Sequence, residues 1–172
     1  MNPLFAYNTL HKLKLYVVLL VTIALNLHTA QAQLTYTKQL NPYHTVIAEG
    51  WLNANNQKIK YWKYYHDNGK VKEAGHYTNG KKTNYWYTYD ALGNTISEGH
   101  YTNDKKTSWW IYYSNNKVLC KTEYYEDNRN GYSLVYNNND VVRIEQYKDN
   151  KKIKEWTDKA SFKRDNPKYF FL

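Results

Sequence analysis

Two sets of residues recur along this chain with side chains able to bind a ligand. Lys58, Lys81, Lys82, Lys105, Lys106, Arg129, Lys151 and Lys152 stand singly or in pairs just past equivalent turns, so they are expected to line one margin of a sheet. Such a row attracts phosphate, lipopolysaccharide, anionic lipid headgroups or acidic polysaccharide. Cations beside turns also keep a sheet edge soluble and discourage edge-to-edge pairing. Trp62, Trp86 and Trp110 form the second set, spaced 24 residues apart. Indoles in successive hairpins would lie two strands apart, about 9.6 Å, an aromatic ladder on which sugar rings of an extended polysaccharide could stack. A chain short of Leu and Ile must build its core from something, and the core is the use expected of these indoles.

Other candidate groups are weaker. His76 and His100 share a repeat position, but Tyr124 takes that place in the next unit and two ligands do not make a metal site. Glu73, Glu98 and Glu123 recur, and acids repeated along a sheet point to cross-strand pairing with Lys before acid-base catalysis. The lone Cys120 sits in the apolar run Val118-Leu119-Cys120 and is expected as buried filler. The chain carries no nucleophile elbow, phosphate loop or metal signature, so a non-enzymatic protein without cofactor or metal is expected.

The elements that position these residues follow from an internal repeat. Tyr77-Thr78-Asn79-Gly80-Lys81-Lys82-Thr83 returns 24 residues later as Tyr101-Thr102-Asn103-Asp104-Lys105-Lys106-Thr107, and Gly75 and Gly99 keep the same spacing. In the fourth copy Ser133 or Leu134 stands where Trp is expected. A fifth opens at Tyr147, with Trp156 nine residues on, the interval from Tyr77 to Trp86. Each copy holds two aromatic and β-branched runs parted by Asn, Gly and Asp, the pattern of an antiparallel hairpin. The expected fold is all-β, an antiparallel meander of about five 24-residue hairpins and about ten strands. It forms an extended or twisted single sheet, with closure of the sheet on itself equally allowed, and helical spacing occurs only near residues 158–164. Trp86 points to one face and Tyr85, Tyr87 and Tyr89 to the other, which predicts one core face and one tyrosine-lined face.

The stretch Tyr64-Tyr65-His66-Asp67-Asn68-Gly69-Lys70-Val71-Lys72-Glu73-Ala74-Gly75-His76-Tyr77-Thr78-Asn79-Gly80-Lys81-Lys82, with its echo, resembles the MORN-repeat variant family of bacterial proteins. The resemblance covers residues from about 48 to 156. It implies an array of β-hairpins and, for some members, an antitoxin role beside a toxin. Units of that family carry Gly two residues before the Trp, where this chain has Lys60, Asn84 and Ser108.

Residues 1–32 have the form of a signal peptide helix. Lys12 and Lys14 precede the apolar run from Leu15 to Leu25, which is shorter than the roughly 20 residues of a membrane span, and Ala30-Gln31-Ala32 supplies a small-x-small cleavage site. A short uncleaved anchor is the alternative. The repeat domain would occupy residues 33–157 and a tail residues 158–172. Cleavage would remove two of the 24 basic residues and none of the 15 acids, taking the charge from +9 to +7. With 20 Tyr, 6 Trp and one Cys the chain is neither a disordered protein nor a disulfide scaffold. A secreted interaction module of the bacterial envelope (periplasmic or extracellular) is expected, its partner another envelope protein. The alternative is an anionic glycan or lipid surface bound through the lysines. Export argues against nucleic acid and against neutralising a cytoplasmic toxin.

Overall fold

A computed structural model describes residues 14–18 and 34–169. Residues 14–18 are helical. The rest of the expected leader, and the cleavage point after Ala32, lie outside the described residues. Among the described residues no helix is long and apolar enough to cross a membrane.

Residues with left-handed backbone set the strand pattern. Six connections are two-residue turns with positive φ at both positions: Asn79-Gly80, Asn103-Asp104, Asn115-Asn116, Glu126-Asp127, Asn138-Asn139 and Asp149-Asn150. Turns of this kind match the twist of the strands they join. Four longer turns place His44, Asn56, Gly69 or Gly93 in the left-handed region. In three of them the side chain of Asn41, Asn53 or Asp90 accepts the N–H groups two and four residues ahead. Between these turns run β1 (Thr35–Leu40), β2 (Val46–Leu52), β3 (Lys58–Tyr65), β4 (Val71–Thr78), β5 (Lys81–Tyr89), β6 (Thr95–Thr102), β7 (Lys105–Ser114), β8 (Lys117–Tyr125), β9 (Asn128–Asn137), β10 (Asp140–Lys148) and β11 (Lys151–Trp156). All eleven pair antiparallel in chain order in one open sheet, the expected meander with one strand more than anticipated.

The core of one face is a row of alternating Trp and Gly. Trp62, Gly75, Trp86, Gly99 and Trp110 oppose one another across β3 to β7. Each indole lies flat over the Gly of the preceding strand, Trp62 over Gly50, Trp86 over Gly75 and Trp110 over Gly99, so closely that a Cβ on any of the three would fall within 3 Å of the ring. The indole N–H groups donate to the carbonyls of Trp51 (3.0 Å), His76 (3.1 Å) and His100 (3.1 Å), each one residue past that Gly. On β5 the pairing jumps from Gly75↔Trp86 to His76↔Thr83, so Asn84 and Tyr85 bulge out of register. Lys60, Asn84 and Ser108 sit in these bulges with φ of 58°, 59° and 58°. That left-handed backbone is the physical reason glycine suits the position two before the Trp.

The last two units depart from this plan. In the fourth, Thr122 and Ser133 occupy the Gly and Trp places and face each other, their buried hydroxyls 2.8 Å apart. Ser133, and not Leu134, is therefore the counterpart of Trp86. In the fifth, β11 skips one residue where β5 skips two, so Glu155 pairs with Glu145 in the Trp row and Trp156 falls opposite Ile144. A shift of one residue turns a side chain to the other face. The equivalence of Trp156 with Trp86, drawn from the nine-residue interval, does not hold in three dimensions. Trp156 instead joins Tyr132, Leu134, Ile144 and Phe162 in a second core on the tyrosine face. The helix Lys159–Asp165 packs there, capped by Asp158, which accepts the Ser161 N–H at 2.7 Å. Trp156 Nε1 donates to Asp165 (2.9 Å) and the Tyr132 hydroxyl to Asn166 (3.1 Å), tying helix to sheet.

Candidate binding surface

The turn margin carries all eight predicted cations, but the pleat divides them. Lys58, Lys82, Lys106, Arg129 and Lys152 turn onto the indole face. The Lys58 ammonium stands 4.7 Å from the Trp62 ring and donates to the Tyr64 hydroxyl at 2.7 Å. Lys82 lies 4.1 Å from Trp86 and pairs with Glu73 at 2.7 Å. Lys106 lies 4.1 Å from Trp110 and donates to Tyr112 at 3.2 Å; burial pushes its ammonium below the ordinary lysine pKa. Arg129 covers Tyr147 at 4.2 Å, and Lys152 pairs with Glu155 at 2.5 Å. Lys58, Lys82, Lys106 and Arg129 cover the aromatic core of a single-layer sheet by laying stems and cationic heads over it, while Lys152 remains exposed. Lys81, Lys105 and Lys151 take the opposite phase and remain exposed.

Sealing removes the indoles from any ligand. Trp62, Trp86 and Trp110 are 0%, 1% and 2% exposed, with Tyr77 and Tyr101 packed edge-on against them. They are the core of the array, as expected, and cannot stack on sugar rings.

Tyr64, Tyr101 and Tyr112 on the indole face are half-buried, and the aromatic residue of β3 to β7 that is exposed, Tyr61, lies on the other face. Tyr61, Tyr85 and Trp109 keep the same 24-residue interval, each one residue before a core Trp, and a second column runs through Tyr65, Tyr89 and Tyr113. Tyr61 is 39% exposed, and Tyr85 and Trp109 are half-buried. The alternation Tyr85-Trp86-Tyr87 predicted a tyrosine-lined face, but the 24-residue binding ladder was assigned to the indoles and not to Tyr61, Tyr85 and Trp109. His76 packs edge-on against Tyr61 (5.0 Å between ring centres) and His100 against Tyr85 (4.8 Å). The helix Lys159–Asp165 packs on β10 and β11, and Trp109 on β7 packs against the same C-terminal core, which leaves the face of β3 to β6 open among the described residues.

Of the recurring acids, only Glu73 pairs with a lysine among the described residues. Glu98 lies on the tyrosine face and accepts the Tyr113 hydroxyl (2.7 Å), as Glu49 accepts that of Tyr65 (2.5 Å). That bond holds the Glu49 carboxyl below its ordinary pKa. Burial, then Glu98, pushes the Tyr85 phenol up to about 12, so the column is neutral at physiological pH. The third acid, Glu123, accepts the Tyr132 N–H at 2.7 Å, and burial raises its pKa above the usual carboxylate value. With the folded value above the unfolded one, its contribution to stability grows as pH falls through the folded pKa and is lost as pH rises. Glu123→Gln, which still accepts the N–H, is therefore expected to shift the urea midpoint upward at pH 7 and to leave it unchanged near pH 4. A lower midpoint at pH 7 would mean that the ionised carboxylate is needed there.

No family model and no curated protein matches this chain.

Proposed function

We propose that this chain is an exported, non-enzymatic binding module that lays the open tyrosine face of its hairpin array along an extended polysaccharide. The reading rests on the column of exposed Tyr61 and half-buried Tyr85 and Trp109. Its rings repeat at about 9.6 Å, two strand spacings, roughly the length of two hexose units in a β-linked chain. A periodic surface suits a periodic ligand, and sugar CH faces pack on aromatic rings while His76, His100, Thr83 and Thr107 between them offer hydrogen-bonding groups. The export signal expected of residues 1–32 agrees with an envelope location.

A second reading, a protein partner, draws support from the anchored hydroxyls of Tyr65 and Tyr113, since rigid tyrosines give contact area at low entropic cost. Affinity electrophoresis through soluble neutral and acidic polysaccharides separates the two. Retardation by a polysaccharide, weakened about tenfold (~1.4 kcal/mol) by Tyr61→Ala or Tyr85→Ala with unchanged thermal midpoint, is the expected result. No retardation by any polysaccharide, with one envelope protein retained stoichiometrically at high salt, would replace it with the protein reading.

A further inference from the structure

Two shallow hollows meet on the tyrosine face where β5, β6 and β7 reach the turn margin. One, of about 530 Å³, is lined by Tyr85, His100, Trp109 and Ile111, together with Thr102, Thr107 and Ser108. The other, of about 410 Å³, is lined by Lys81, Lys105, Asn103, Tyr125 and Glu126, and again by Thr102 and Thr107. The shared threonines make the two adjacent, so an aromatic hollow lies beside a cationic one. Two ammonium groups face one carboxylate there. Lys105 meets Glu126 at 3.3 Å with both side chains at least half exposed, 50% and 58%, and an exposed pair of this kind is held weakly. Lys81 has no acidic partner within ion-pair distance among the described residues. The cationic hollow therefore has charge to give an anionic ligand, unlike Lys58, Lys82 and Lys106, which are committed to the aromatic core.

We infer that this pair of hollows is a subsite for an acidic sugar, with the ring seated between Tyr85 and Trp109 and its anionic substituent between Lys81 and Lys105. The inference rests on the polysaccharide reading of the face and adds the charge of the ligand to it. Thr102 and Thr107 lie at the junction, where ring hydroxyls would pass, and can both donate and accept.

The test compares a cello-oligosaccharide with its C6-oxidised form, a β-1,4-linked glucuronan of equal length that differs only in its carboxylates, by calorimetric titration of the full chain. Tighter binding of the oxidised form by about tenfold (~1.4 kcal/mol) at low salt is expected, with the preference shrinking as ionic strength rises. Lys81→Ala with Lys105→Ala should abolish the preference and leave the neutral chain's affinity unchanged, whereas Tyr85→Ala should weaken both. A sulfated cello-oligosaccharide bound as tightly as the oxidised one would show that the site reads negative charge and not a carboxylate as such, which supports the inference. Equal affinity for neutral and oxidised chains, untouched by the lysine changes, overturns the acidic subsite and leaves the polysaccharide reading standing. Binding of none of the three overturns both.

Discussion

Gly75→Ala is expected to lower the stability of the sheet by about 3 kcal/mol, at the upper end of what overpacking a core costs. The added methyl would meet Cγ, Cδ2 and Cε2 of Trp86 within 3 Å. The ring cannot retreat. Its N–H is shared between the carbonyls of His76 and Thr83, both at 3.1 Å. Its outer side carries Tyr77, Tyr101 and the Lys82 ammonium, with ring centres at 5.1 and 5.9 Å and the ammonium at 4.1 Å. Trp86→Ala alone should cost roughly 3–5 kcal/mol by emptying the same site. The two changes should not add. With the indole gone the clash with its ring is removed and the methyl fills part of the void, so the double variant should be more stable than the sum of the single losses by about 0.5–3 kcal/mol. The fourth repeat already carries such a pair, since Thr122 replaces the glycine where Ser133 replaces the tryptophan. Urea unfolding of the four proteins, followed by circular dichroism, measures the coupling. Strict additivity would show that Gly75 is needed for its backbone and not for its contact with Trp86.

Phe162→Ala should cost about 3–5 kcal/mol at the C-terminal end of the array, although this residue lies beyond the last repeat. Its ring is 0% exposed and stands edge-on to Trp156 (5.0 Å) and Tyr132 (5.4 Å). A helix of seven residues cannot hold itself together in water, so loss of this anchor should release it and uncover Ile144 and Leu134. The effect should be local. Amide exchange is expected to quicken in β9 to β11 and to stay slow in β3 to β6, where the Trp-Gly row forms a separate core. Uniform loosening of all eleven strands would mean that the two cores act as one cooperative unit. An unchanged thermal midpoint would mean that the helix contributes nothing to the fold.

Much of the molecule was legible from local signals. Asn, Asp and Gly pairs accept a left-handed backbone at little cost, so Asn79-Gly80 and Asp149-Asn150 announced their turns without tertiary information. Glu126-Asp127 did not, because Glu126 enters that region only under the constraint of the hairpin, at φ 48°. The two-faced character of the sheet was equally plain, since Tyr85-Trp86-Tyr87 can only alternate. The candidate surface was less so. The lysine row was correctly placed along the turn margin, yet its division into core-sealing and exposed members depends on the face each side chain takes, which adjacent pairs such as Lys81 and Lys82 split between them.

Composition, the 24-residue echo and turn chemistry thus determined the strands, their order and the margin where the cations lie. These follow from preferences that each short segment carries within itself. Which aromatic column is buried, which reaches solvent and where Trp156 points were decided only by the tertiary structure. The number of residues that bulge out of each ladder sets the face of everything beyond it. Two residues slipped on β5 keep Trp86 in its row, and one slipped on β11 turns Trp156 to the opposite side, where Phe162 and the helix cover it. That count is a property of pairing between strands, and no single strand contains it.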